Sequence, residues 1–166
     1  APGGAEVTVS LGQAQVQAVA DATGAWRAHL PPMPAGGPYV LTARSGGSTQ
    51  TLSDIMVGDV WLCSGQSNME LPVERTLNAP SVIGAANDDG IRLVTVQKDF
   101  DVAAQDTFRN PLAWAAASPA SVGGFSAACY YFAQDLRRDH DVPTGLISSN
   151  WGGSNIETWM SPKALA

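Results

Sequence analysis

Two short stretches of this sequence carry the residue types that acyl transfer requires. The first, Ser64-Gly65-Gln66-Ser67-Asn68, follows the mostly apolar run Val57 to Cys63. The second, Asn150-Trp151-Gly152-Gly153-Ser154-Asn155, follows Leu146 to Ser149. A serine hydroxyl at a strand-to-helix turn is a candidate nucleophile. Backbone N–H groups at glycines can hold the oxyanion that forms when an ester carbonyl is attacked. The same compositions are also ordinary turn and N-cap chemistry, so two purely structural loops are the competing reading. Gly65-Gln66-Ser67-Asn68-Met69 departs from the Gly-x-Ser-x-Gly elbow of α/β-hydrolases, because Met69 stands where the second glycine belongs. That fold is not supported.

A serine nucleophile needs a base, and the sequence contains two histidines. His29 lies in Trp26-Arg27-Ala28-His29-Leu30, where strand alternation turns it with Arg27 away from a core. His140 lies in Arg137-Arg138-Asp139-His140-Asp141 at the expected end of a helix, where the macrodipole favours a cation. Both read as exposed surface histidines.

The elements that must position the two loops can be read from periodicity. Residues 1–55 read as β structure, with runs at Val7 to Leu11, Val16 to Ala20, Trp26 to Leu30, Tyr39 to Arg44 and Gln50 to Met56. Turn chemistry separates them: Asp21-Ala22-Thr23-Gly24, then the proline- and glycine-rich 31–38, then Gly46-Gly47, which suits a tight hairpin. The spacing of about ten residues suggests a sandwich-type sheet, and the few strands suggest the tail of a larger β domain. Residues 56–166 change grammar. Val57 to Cys63, Ile91 to Gln97 and Gly145 to Ser149 read as buried strands. Phe125, Ala128, Cys129, Phe132, Ala133 and Leu136 mark one face of a helix, preceded by Gly123-Gly124 and ended by Asp141-Val142-Pro143. Helix followed by strand argues for a βαβ unit in a parallel sheet, in an α/β domain. Ligands of such sheets bind outside the carboxyl ends of the strands, which is where both polar loops fall.

Bulk properties narrow the partners. The 166 residues carry a net charge of −6 and no run of Lys or Arg, so nucleic acid is not expected as a partner. No apolar stretch approaches the roughly 18 residues of a membrane span. The opening Ala1-Pro2-Gly3-Gly4-Ala5-Glu6 lacks the basic and apolar regions of a secretory leader. Cys63 and Cys129 are far apart in apolar surroundings and are expected to be two small buried thiols rather than a disulfide.

Two blocks carry a resemblance. Gly58-Asp59-Val60-Trp61-Leu62-Cys63-Ser64-Gly65-Gln66-Ser67-Asn68-Met69-Glu70 resembles the nucleophile block of sialate O-acetylesterases, a branch of the SGNH (GDSL-like) hydrolases. Gly145 to Met160 is similar to the segment that the family carries after its second sheet strand. Ala20 to Trp26 and Pro34 to Tyr39 resemble the end of the β domain that precedes the esterase domain.

The resemblance implies the N-terminal part of an SGNH-type three-layer parallel-sheet hydrolase domain, preceded by the end of a β-sandwich-like domain. It makes Ser67, not Ser64, the nucleophile, with the N–H groups of Ser67 and Gly153 as oxyanion donors and Gly152 as the reserve. Gln66, Asn68 and Trp151 would shape or line the substrate site, and Glu157 would be a structural carboxylate. The substrate implied is an O-acetylated sugar such as sialic acid, with no cofactor and no metal, in a secreted or periplasmic protein. The family's late Asp-x-x-His block and its Asn-bearing oxyanion block do not occur in this sequence. The remainder of the esterase domain is therefore expected downstream, and this segment alone is expected to be nearly inactive. The alternative is a non-catalytic carbohydrate-binding module in which Trp151 and Trp159 hold a glycan.

Overall fold

The computed structural model describes residues 1–101, 103 and 105–165. The chain divides into two compact units, residues 1–58 and the chain from Asp59 onward.

The first unit is built on one antiparallel sheet. Its strands are β1 (Glu6–Leu11), β2 (Ala14–Val19), β3 (Gly36–Ser45) and β4 (Ser48–Val57), in the order β2-β1-β3-β4. Alternation along β1 buries Val7, Val9 and Leu11 on one face. Gly46-Gly47 joins β3 to β4 with Ser45 opposite Ser48, the hairpin its glycines predict. The run Trp26 to Leu30, expected as a strand, is irregular. Asp21 closes the turn before it by accepting the N–H groups of Thr23 and Ala25. Pro31, Pro32 and Pro34 follow, and prolines have no N–H to give to a ladder.

The second unit is a mixed α/β structure. It contains β5 (Asp59–Gly65), α1 (Ser67–Glu70), α2 (Ala79–Ala85), β6 (Asp88–Thr95), β7 (Ala115–Ala117), α3 (Ala127–Asp139), β8 (Thr144–Asn150) and α4 (Pro162–Leu165). The sheet order is β5-β8-β6-β7. β8 pairs in parallel with both β5 and β6, and β7 adds an antiparallel edge to β6. The helix-then-strand reading therefore holds for α3 and β8. Being central, β8 buries Thr144, Leu146 and Ser148, and with Ile91, Leu93 and Tyr130 it forms the core. Each large apolar side chain so buried contributes roughly 1.5–3 kcal/mol.

Three local features hold the turn after β5. Ser126 caps α3, its side chain accepting the N–H of Cys129 at 3.3 Å while its hydroxyl lies 3.6 Å from Met69 Sδ. The segment after α1 pairs with the segment before α3 through Val73 N–H to Phe125 O and Ala127 N–H to Leu71 O. Cys63 of β5 is joined to Cys129 of α3 by a disulfide, with Cα atoms 5.9 Å apart. This corrects the expectation of two free thiols. Local sequence could not show it, because 66 positions separate the pair and only the packing of α3 on the sheet brings them together.

The buried face of α3 is also rotated from the predicted stripe. Ala127, Cys129, Tyr130 and Ala133 are buried, whereas Ala128 and Phe132 are exposed. Phe132 stacks edge-on against Trp61 at 5.0 Å, over the edge strand β5. Hydrophobicity alone ranked Phe132 as core. Its neighbour β5 has no further strand beside it among the described residues, so that end of the helix stays open.

Candidate active site

β5 and β8 run side by side and in step, with Gly65 opposite Asn150. Both strands end at the same edge, so the two polar loops emerge together. Ser67 begins α1 immediately beyond β5 and is exposed. Gln66 O accepts the N–H groups of Met69 and Glu70, which closes this short helical turn. The N–H groups of Ser67 and Asn68 have no acceptor among the described residues, as expected for the first positions of a helix.

The second loop is tied to the nucleophile turn at three successive residues. Asn150 Nδ2 donates to Met69 O at 3.3 Å. Trp151 N–H donates to Gly65 O at 2.9 Å. Gly152 N–H donates to Glu70 Oε2. These contacts bring Gly152 against the serine: a Cβ on Gly152 would stand 3.6 Å from both Cα and Cβ of Ser67, and 2.8 Å from Glu70 Oε2. A side chain at 152 would displace the Glu70 carboxylate, while its approach to Ser67 is ordinary van der Waals contact. Gly153 has φ +80°, a conformation that favours glycine, and its N–H has no acceptor among the described residues.

Glu70 is the charged centre of this arrangement. Its other oxygen, Oε1, is paired with Lys98 Nζ. The Lys98 ammonium, followed by the Gly152 N–H, holds the Glu70 carboxyl below the usual carboxylate range. Lys98 also lies 5.7 Å from the centre of the Trp151 ring. A cleft of about 650 Å³ opens beside the serine, lined among others by Ser67, Glu70, Arg75, Lys98, Ser126 and Asn150.

The expected residues fall as follows. Ser67 and Gly152 come together, Gly153 follows Gly152 in the same loop, and Ser64 lies inside β5, exposed. Gln66, Asn68 and Trp151 are exposed around the serine and do not line the cleft. Trp159 donates from Nε1 to Ser154 Oγ at 2.9 Å, and Ser154 Oγ donates to Trp151 O at 2.7 Å, so these aromatics brace the glycine loop. His140 ends α3 beside Asp59 and Thr144, the first residues of β5 and β8. The length of a seven-residue strand, about 20 Å, separates that end of the sheet from Ser67. His140 cannot take a proton from it. His29 is exposed in the first unit.

Glu70 and Lys98 were not singled out from sequence. Glu70 lies inside the quoted nucleophile block, three residues after Ser67, which was a signal available to be used. Lys98 had none. Among the described residues no group of acidic, histidine or cysteine side chains could hold a metal ion.

A family model described as carbohydrate esterase, sialic acid-specific acetylesterase, matches residues 57–165. The rat sialate O-acetylesterase is 35% identical over 98% of this chain and 33% of its own length. The human sialate O-acetylesterase is 34% identical over 98% of this chain and 34% of its own length. Among solved structures, the crystal structure of a carbohydrate acetylesterase from Xanthomonas citri is similar with a TM-score of 0.93 and 41% identity, over 99% of this chain and 38% of that one. The chain thus spans about a third of the length of the curated relatives it matches.

Proposed function

The chain belongs to the carbohydrate esterase family of sialic acid-specific acetylesterases, and from that membership we propose that it carries the nucleophile half of a serine esterase that removes O-acetyl groups from sialic acid or related acylated sugars. The observation that carries the reading is the seating of Ser67 at the carboxyl edge of β5, with the Gly152 position within van der Waals reach of it and the next N–H along the loop, that of Gly153, unengaged among the described residues. Ser67 Oγ attacks the acetyl carbonyl carbon, the sugar oxygen leaves with a proton, and water then hydrolyses the acetyl-serine. Ser67 N–H and Gly153 N–H hold the oxyanion of each tetrahedral intermediate. The base and a further donor come from the remainder of the esterase, since His140 lies at the opposite end of the sheet from Ser67.

The same reading completes the fold. In it, β5 becomes an interior strand of an SGNH-type three-layer sheet once the remainder pairs along its open side. The mixed sheet beginning at β5 belongs to the hydrolase domain of 56–166. The antiparallel sheet of 1–55 is then the end of a preceding, β-sandwich-like domain. Exposed Val60 and Leu62, at 62% and 67%, share one face of β5, which the helical layer on that side of such a domain would cover.

Labelling by a fluorophosphonate tests the assignment. The full-length esterase should take up one label on Ser67, and Ser67→Ala should lose both the label and the hydrolysis of 4-nitrophenyl acetate, by about four orders of magnitude or more. Labelling of another residue, or turnover that survives in Ser67→Ala, would overturn it.

A further inference from the structure

The three bonds that tie the glycine loop to the nucleophile turn are not equivalent. Two of them end on backbone carbonyls, Met69 O and Gly65 O. The third ends on the Glu70 side chain, whose two oxygens are divided between Gly152 N–H and Lys98 Nζ. Glu70 therefore joins three elements: the helix that begins with Ser67, the loop after β8, and the segment after β6. While Glu70 holds it, the Gly152 N–H is engaged and cannot also serve an oxyanion. The next N–H along the chain, that of Gly153, is unengaged among the described residues.

We propose that Glu70 is a positioning residue for the oxyanion side of the site: it pins the Gly152 peptide against the nucleophile turn so that the Gly153 N–H is presented to the acyl oxygen. The proposal rests on the esterase reading above. Two other roles fit the geometry less well. As a base for Ser67, Glu70 is handicapped because both oxygens are already occupied and its carboxyl is held below the usual range by Lys98 and Gly152. As a surface ion pair alone, it would contribute little, because exposed pairs are screened and entropically costly. The Gly152 bond is what distinguishes it.

Kinetics of the full-length esterase on 4-nitrophenyl acetate, with melting temperatures measured in parallel, test the role. Glu70→Ala should lower kcat about 10- to 100-fold with KM within about twofold, the signature of a donor used in the transition state. Glu70→Gln keeps an oxygen that can accept from Gly152 N–H and should recover kcat to within about fivefold of wild type. A Glu70→Ala enzyme with near wild-type kcat, or a Glu70→Gln enzyme as impaired as Glu70→Ala, overturns the proposal. If Glu70→Ala does not fold, Glu70→Asp decides: its carboxylate is withdrawn by one methylene, so kcat should fall at least about tenfold at an unchanged melting temperature. Wild-type activity in Glu70→Asp then overturns it. Ser67→Ala run alongside separates the two ideas. An esterase-negative wild type, or activity surviving in Ser67→Ala, sinks the functional reading itself. An inactive Ser67→Ala beside a fully active Glu70→Ala sinks only the positioning role.

Discussion

The two ends of the parallel sheet carry nearly the same local chemistry and put it to different uses. At the carboxyl end, Glu70 accepts the N–H of Gly152 and is paired with Lys98. At the amino end, Asp88 accepts the N–H of Gly90 at 2.8 Å and is paired with Arg137 at 3.2 Å, which also reaches Asp141 at 3.1 Å. Each is a carboxylate bridging a glycine amide and a cation. The difference lies in what the amide belongs to. Gly90 is two residues from Asp88, so that bond shapes one strand end, and Arg137 fastens α3 to it. Gly152 is 82 residues from Glu70 and touches the serine, so that bond sets one half of a candidate site against the other. A charged pair beside a glycine therefore does not mark a site by itself.

Three substitutions would break or sharpen the contrast. The largest effect is expected from the disulfide that anchors the serine's strand. Cys129→Ser should lower the unfolding free energy by about 2–4 kcal/mol, read by urea denaturation, because it releases a long loop of the unfolded chain. An unchanged midpoint would show that α3 holds β5 without it. Next, Gly152→Ala places a Cβ 2.8 Å from Glu70 Oε2, displacing that carboxylate from the Gly152 amide, and should cost about 10- to 100-fold in kcat, measured by ester hydrolysis in the full-length protein. Retention of full activity would mean that the loop can move away without consequence. The smallest effect belongs to the opposite end. Arg137→Ala should destabilise the fold by about 1 kcal/mol, seen as a lower melting temperature, and leave kcat unchanged. A loss of kcat there would erase the distinction between the two ends.

Much of the framework around the two loops was legible in the residues. The apolar run ending at Cys63 and the polar turn after it announced a strand delivering a hydroxyl, and the second run predicted a neighbour ending in glycines. The β1, β3 and β6 positions followed from alternation and β-branched composition. Legibility failed where a partner was distant or a neighbour was missing. The expected strand at Trp26 to Leu30 lost to proline chemistry, and Phe132 was assigned to the core by hydrophobicity although it caps an open edge beside Trp61. Glu70 was in plain view, but its role depends on an amide 82 residues away.

The resemblance of the block around it pointed to Ser67 over Ser64. By itself the sequence determined the order of the elements and the two polar, glycine-bearing loops that follow its strands. These are matters of local period, turn chemistry and short-range spacing. Only the tertiary structure decided that β5 and β8 are adjacent and in register, that Cys63 and Cys129 are bonded, and that Glu70 takes the Gly152 amide and Lys98. Each of those is a pairing across tens of residues, set by how the sheet orders its strands and where α3 lands on it. No local window of sequence contains both partners.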